Sequence, residues 1–249
     1  TGQTMYAWGA QLSSTNSKVY DSPTTTQISR SYSPLLKTAS SDEPRFEYAT
    51  DGQSEGLLIE AQATNLQRYG SKFESWVGSS FAEVYADSAI APNGQLEARL
   101  VVPPNAVGAK FFTDNTVSSN SGDTYTASVY AKSAGHRYVQ LIFGSGAYGA
   151  TKWATFDLQT GSVDANGLTA SSAENVGNGW YRLSITGTAT SSSASSAFVA
   201  FVGTATAARN AAHVGDDFSG VLIWGYQYEK GSAASSLVNS GTSSSGVTR

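Results

Sequence analysis

Apolar and polar positions alternate with a period of two along much of the chain. In "DTYTASVYAKS" (Asp123–Ser133), Tyr125, Ala127, Val129 and Ala131 fall on one side, and Thr126, Ser128, Tyr130 and Lys132 on the other. "HRYVQLIFG" sets Val139, Leu141 and Phe143 against Tyr138, Gln140 and Ile142. "KWATFDLQTGSV" sets Ala154, Phe156 and Leu158 against Trp153, Thr155 and Asp157, then turns at Thr160-Gly161. "GWYRLSITGTAT" sets Tyr181, Leu183 and Ile185 against Trp180, Arg182 and Ser184. Successive side chains of a strand point to opposite faces, so each run reads as a strand with one face in a core. "SAFVAFVG" and "GVLIWGYQYE" read as two more strands.

Gly, Asn and Ser clusters separate these runs ("NGL", "GNG", "GDD"), and no helical pattern exceeds a dozen residues. Regularly spaced strands with such punctuation predict an all-β fold, an antiparallel sandwich. "APNG" (Ala91–Gly94) is a turn signal, and Pro103-Pro104 ends any element there. "SSSASS", flanked by strand patterns, is expected to be a hairpin loop rather than a linker. The one expected helix is a short one near Asn65–Tyr69. "MYAWGAQLSS" (Met5–Ser14) echoes "VLIWGYQYEK" (Val221–Lys230), so residues 1–44 are expected to hold the last strand of a preceding module.

Composition narrows the function. Charged residues make up only 14 % of the 249 and the net charge is −4, so the polar surface comes from Ser, Thr, Asn, Gln and Gly. A nucleic-acid partner is not expected, because phosphate-tracking surfaces concentrate Lys and Arg. The absence of cysteine excludes disulfides and thiol chemistry. No apolar run is long enough to span a bilayer as a helix, and Thr1–Thr4 carries no leader pattern.

From Arg45 onward the chain resembles a module of bacteriophage virion proteins: tail fibres, head fibres and decoration proteins. That module is itself similar to carbohydrate-binding jelly rolls. The likeness rests on "PRFEYATDGQSEGLLIEAQATNLQ" (Pro44–Gln67), "FESW" (Phe73–Trp76), "ADSAIAPNGQLEARL" (Ala86–Leu100), "YTASVYAKSAG" (Tyr125–Gly135), "ATFDLQTGSV" (Ala154–Val163), "VGNGWYRLSITGTAT" (Val176–Thr190) and "LIWGYQYEKG" (Leu222–Gly231). The resemblance implies a jelly-roll sandwich over 45–249, on the exterior of a phage capsid or tail and without chemistry of its own. It implies "GLLIE…TNL" as the lead-in to the first strand, with Leu57, Leu58 and Ile59 under the sandwich edge and Asn65 capping a turn. It also implies one structural Ca²⁺ between first and last strands. Glu74 is a candidate ligand, but Trp224 stands where the last strand's acid would be, and "GDD" (Gly215–Asp217) is better read as a solvated loop; no cofactor is expected.

No constellation points to an enzyme. Glycosidases pair two carboxylates at a set distance. Glu60, Glu74, Glu83, Asp87, Asp157, Glu174, Asp216 and Asp217 fall into no such motif; His136 and His213 have no Glu nearby in sequence to form a metal pair; and "GSG" lacks the spacing of a nucleophile elbow. Aromatics carry the functional signal, since flat rings stack on the C–H faces of sugars while amides and charges bind hydroxyls. The outward phase predicts one surface of Tyr130, Lys132, Tyr138, Gln140, Trp153, Asp157, Trp180 and Arg182, with Tyr130, Tyr138, Gln140, Trp153, Trp180 and Arg182 as its glycan contacts and Tyr148 in the tip loop "GSGAYGATKW" as a second contact. The alternative is that these rings face another sheet, module or subunit. The expected partners are host-surface polysaccharide and other virion proteins, in a homotrimer, with no membrane insertion.

Overall fold

The computed structural model describes residues 36, 46–48, 53–58, 60–76, 83–114, 117–241 and 243–248. The expected N-terminal segment 1–44 and its echo of the last long strand lie outside these residues, Leu36 excepted.

Strands β1 (Phe46–Tyr48) and β2 (Ser54–Leu57) form a small hairpin, followed by β3 (Thr64–Asn65). Then come β4 (Glu83–Ile90), β5 (Leu96–Val102), β6 (Val107–Gly108), β7 (Lys110–Phe112), β8 (Thr124–Ala134) and β9 (Tyr138–Phe143). A one-turn helix α1 (Ser145–Tyr148) leads to β10 (Trp153–Asp157), β11 (Val163–Asn166), β12 (Ala170–Gly177) and β13 (Trp180–Thr188). The chain continues through β14 (Ala197–Val202), β15 (His213–Val214), β16 (Gly220–Lys230) and β17 (Val247–Thr248). The main layers are a five-stranded sheet, β11-β10-β9-β14-β7, and a six-stranded sheet, β12-β13-β8-β16-β5-β4. Every pairing between these strands is antiparallel, giving the expected all-β sandwich.

The alternation decides the packing. Val129, Leu141, Phe156 and Leu183 are wholly buried in one cluster with Val139, Phe143, Val199, Phe201, Ile185 and Ile223. Two inner faces that interdigitate about 10 Å apart hide one phase of each strand. In β16 the phase changes midway. Val221 and Ile223 face inward, then a bulge at Gly225 lets Tyr226 and Tyr228 face inward too. Gly225 has φ +61, and a Cβ there would sit 2.9 Å from Leu237 Cδ2 and 3.2 Å from the Tyr130 ring. Left-handed backbone and close approach both require glycine. The inserted residue carries Tyr228 into the core, where its hydroxyl bonds those of Ser119 and Tyr148 and its ring stacks on Tyr125.

Turn expectations fare unevenly. "APNG" joins β4 to β5 as a tight turn, with Ala91 N donating to Gln95 O at 2.8 Å and Gly94 at φ +82. "SSSASS" is not a hairpin loop: β13 and β14 belong to different sheets, so this segment crosses the end of the sandwich. Ser193 pairs with Ser119 on the way. Residues 65–69 are not helical either. Asn65 lies in β3 beside β17, and the nearest helical turn is a 3₁₀ turn at Phe73–Ser75.

Asn65 itself does more than cap a turn. Its Oδ1 accepts from Gln67 N and Tyr228 N, both at 3.0 Å, and its Nδ2 donates to Tyr226 O and Val238 O. Fully buried, it ties the lead-in to β16 and to the chain's C-terminal segment. Leu57, in contrast, is 55 % exposed, opposite Phe46 in the β1–β2 hairpin instead of under the sandwich, and Leu58 is half-buried; Ile59 lies outside the described residues. Glu60 accepts a hydrogen bond from Ser236 N at 2.8 Å, holding the same C-terminal segment.

Candidate functional site

The seven candidate residues do not share a surface. Two sheets that bury their inner faces against each other present outward phases on opposite sides of the molecule. Tyr130, Trp180 and Arg182 project from the six-stranded sheet, whereas Tyr138, Gln140 and Trp153 project from the five-stranded one. Tyr148 belongs to neither: it sits in the core, its ring stacked 4.2 Å from that of Phe143, its hydroxyl bonded to Tyr228.

On the six-stranded side the rings are covered. Tyr130, Trp180 and Trp224 are 2–3 % exposed and cluster with Ala91 and Ala98, and Leu36, Leu222 and Leu237 pack against them. The chain after β16 folds back as a strap. Val238 N donates to Gln227 Oε1, Ser235 N donates to Glu229 Oε1, and Arg182 Nη2 reaches Ser235 O. The Arg182 guanidinium lies 5.5 Å over the Tyr130 ring. Trp224 Nε1 donates to Glu97 Oε1 at 2.8 Å. Glycan contact by Tyr130 and Trp180 is therefore corrected: these rings are a second small core beneath the strap, and Arg182 is half-buried at its edge.

The five-stranded side is different, and three cross-strand rows describe it. Asn166, Trp153, Ile142 and Phe198 stand abreast on β11, β10, β9 and β14. Asp164, Thr155, Gln140, Ala200 and Phe111 form the next row, and Asp157, Tyr138 and Val202 the third. The middle is roofed by the segment after β14. Gln140, fully buried, donates from Nε2 to Thr155 Oγ1 and to the carbonyls of Ala207 and Ala208, and its Oε1 accepts from Asn210 N at 2.8 Å. Gln140 is thus a fastener for that segment, with both ends of its amide already occupied.

Around the roof the face is partly open, with Ile142 and Val202 wholly buried. Trp153 is half-buried, whereas the other described tryptophans, Trp76, Trp180 and Trp224, are buried. Beside it, Asn166 and Asp164 are exposed on β11. Tyr138 is half-buried under the Arg137 guanidinium, 5.1 Å from its ring. Arg137 grips Asp157 with two bonds, Nε–Oδ1 at 2.8 Å and Nη2–Oδ2 at 2.7 Å. That bidentate pair holds the Asp157 carboxyl far below the usual range, so it is ionised at any ordinary pH and already neutralised by its partner.

Two functional candidates escaped the sequence reading: Arg209 and Asn210, in "TATAARNAAH" (Thr204–His213). Arg209 Nη2 donates to Phe143 O at 3.2 Å, and its guanidinium lies 5.5 Å over Phe198. Buried Arg209 Nε and Asn210 Oδ1 have no hydrogen-bond partner among the described residues. The available signal was a single Arg-Asn pair in an otherwise Ala- and Thr-rich connection, which alternation arguments do not reach.

As for a metal, no group of three or more His, Asp and Glu side chains is placed to hold one among the described residues, and nothing is described of the Glu74 side chain. The two acids of the "GDD" loop are engaged: Asp217 Oδ1 accepts from Asn105 N, and Asp216 Oδ1 accepts from Phe218 N and Ser219 N and its Oδ2 from Ser219 Oγ, which lowers the Asp216 pKa to about 2. No described helix is long and apolar enough to cross a membrane. Neither a scan against protein-family models nor a search of curated proteins finds a match for this chain.

Proposed function

We propose that the protein is a non-enzymatic glycan-adhesion module, acting on the outside of a phage particle, with the outer face of the five-stranded sheet as its contact surface. The observation that carries this reading is Trp153. It is the one described tryptophan whose ring is not buried, and it stands in one row with exposed Asn166, with exposed Asp164 in the next row. An indole open to solvent offers a stacking platform for a sugar's C–H face, and the amide and carboxylate next to it suit sugar hydroxyls. Stacking and hydrogen bonding require no reacting group, which agrees with side chains engaged with one another, such as Arg137 with Asp157.

Affinity electrophoresis tests it. Gels cast with polygalacturonate, hyaluronate, dextran or galactan are expected to include at least one that retards the protein, and Trp153→Ala to abolish that retardation while lowering the melting temperature by no more than about 4 °C. Retardation by none of them, or retardation indifferent to Trp153→Ala, contradicts the reading.

A structural role in a particle, as a fibre or decoration subunit, draws on a separate observation. Val107 and Val214 face each other across β6 and β15 while 80 % and 55 % exposed, with Phe218 at 85 % nearby in sequence. Contiguous exposed apolar side chains mark contact surfaces. Sedimentation velocity distinguishes this role: a trimer that Phe218→Asp dissociates supports it, and a monomer at every concentration contradicts it.

A further inference from the structure

Arg209 is a cation without an anion among the described residues. Arg68, Arg99 and Arg137 each hold a carboxylate, Asp114, Asp87 and Asp157 respectively. Arg209 holds none among the described residues. Its Nη2 rests on the Phe143 carbonyl, its Nε is buried and unpartnered, and desolvation alone pushes its pKa down. Arg182 also has an unpartnered buried Nε, but it lies under the C-terminal strap and directly across from Glu174 on β12. Removing part of a guanidinium from water with no counter-charge is costly, and a bound anion would offset that cost.

Its position gives that anion a context. Trp153 and Phe198 flank Ile142 on either side, and Arg209 lies over Phe198. With strands about 4.8 Å apart, Trp153 and the Phe198 ring beneath the guanidinium stand on strands about 10 Å apart, the reach of two linked sugars. Asn210 follows, at φ +49, its N fixed to Gln140 Oε1 and its own Oδ1 buried and unpartnered. A guanidinium with its Nε unpartnered and, in the next residue, an unpartnered amide oxygen match a carboxylate and a neighbouring hydroxyl. Asp164 stands on the far side of Trp153 from Arg209, where it repels a second anion, and Asp157 is already neutralised by Arg137. The face is therefore polarised across Trp153.

Building on the Trp153 reading, we infer that this face selects an acidic glycan, with the sugar carboxylate on Arg209, an adjacent hydroxyl on Asn210 Oδ1 and the ring of a neighbouring sugar on Trp153. Arg209 is the specificity-determining residue, and Gln140 positions it by holding the segment.

The test compares polymers that differ in their carboxylates: polygalacturonate against its fully methyl-esterified form, with hyaluronate as a second acid and dextran as a neutral control. Wild type is expected to bind at least one acid about tenfold or more tightly than the ester or dextran, on the scale of a charge-assisted bidentate pair. Arg209→Gln is expected to erase that preference while keeping the melting temperature, and Arg209→Lys to retain part of it. The preference also weakens with added salt, since the pair is partly exposed. Ester and dextran binding as tightly as the acids, or Arg209→Gln binding acids like wild type, overturns the inference; if Trp153→Ala still abolishes binding in that case, the stacking face stands without it. No binding to any of the four overturns both.

Discussion

Gln140 and Asn210 are joined by a 2.8 Å hydrogen bond from the Asn210 backbone N–H to the Gln140 side-chain oxygen, 70 residues apart in the chain. Through it, a polar residue in the outward phase of β9 fastens the segment that roofs the five-stranded sheet and carries Arg209. Gln140→Leu keeps the volume and removes the fastening. It leaves the carbonyls of Ala207 and Ala208 and the N–H of Asn210 without their partner, at about 2–3 kcal/mol in total. Denaturant unfolding is expected to report that loss, and hydrogen exchange to report faster opening of residues 204–212 than of β9 itself.

Trp180 and Trp153 differ in what covers them. Trp180→Ala empties a site packed by Tyr130 and Trp224 and is expected to cost about 3–5 kcal/mol. Trp153→Ala, at a half-exposed site, is expected to cost about 1 kcal/mol or less. Equal losses in a urea titration would contradict the assignment of one ring to a core and the other to an open face.

The alternation of residues was enough to place Val129, Leu141, Phe156 and Leu183 inside, because an inward phase has one destination in a sandwich. It also identified the outward phase correctly. What it left undetermined was the covering of that phase, which depends on contacts distant in sequence. Tyr130 and Trp180 lie beneath a strap around Ser235–Val238, and Gln140 lies beneath Ala207–Asn210. Nor does a period of two reveal that outward residues of different strands can stand on opposite sides, as Tyr130 and Trp153 do. Tyr148 was misread for a related reason: glycines around it suggest an exposed tip, yet its short helix turns the ring into the core.

The bulge in β16 gives a third prediction. Gly225→Ala puts a Cβ 2.9 Å from Leu237 and imposes a left-handed backbone on a non-glycine residue. A destabilisation of about 1–3 kcal/mol follows from strain and overpacking together. If the bulge is what keeps Tyr228 inside, the near-ultraviolet circular dichroism of the tyrosines changes as well.

Acid sensitivity should come from His213. Burial, with His136 and the Lys110 ammonium beside it, lowers its pKa from 6.5 to about 4, and both ring nitrogens are buried and unpartnered. The ring of His136 lies 5.3 Å away, and its pKa is also lowered, chiefly by burial; Asp216 acts on His136 in the opposite direction. A depressed histidine means the unfolded chain takes up protons first as pH falls. Stability is thus full above pH 6.5 and declines as pH drops towards 4. Chemical denaturation across that range is expected to show the slope, and His213→Phe to flatten it.

The central claim is that Trp153 is the ring that meets a ligand while Trp180 and Trp224 serve the fold. The indole N–H resonances of the protein's five tryptophans, assigned with Trp153→Phe and recorded while a retarding polysaccharide is titrated in as short oligosaccharides, test it most directly. The account predicts that the Trp153 signal shifts saturably while those of Trp180 and Trp224 stay in place. A still Trp153 signal, or movement confined to Trp180 and Trp224, would contradict it.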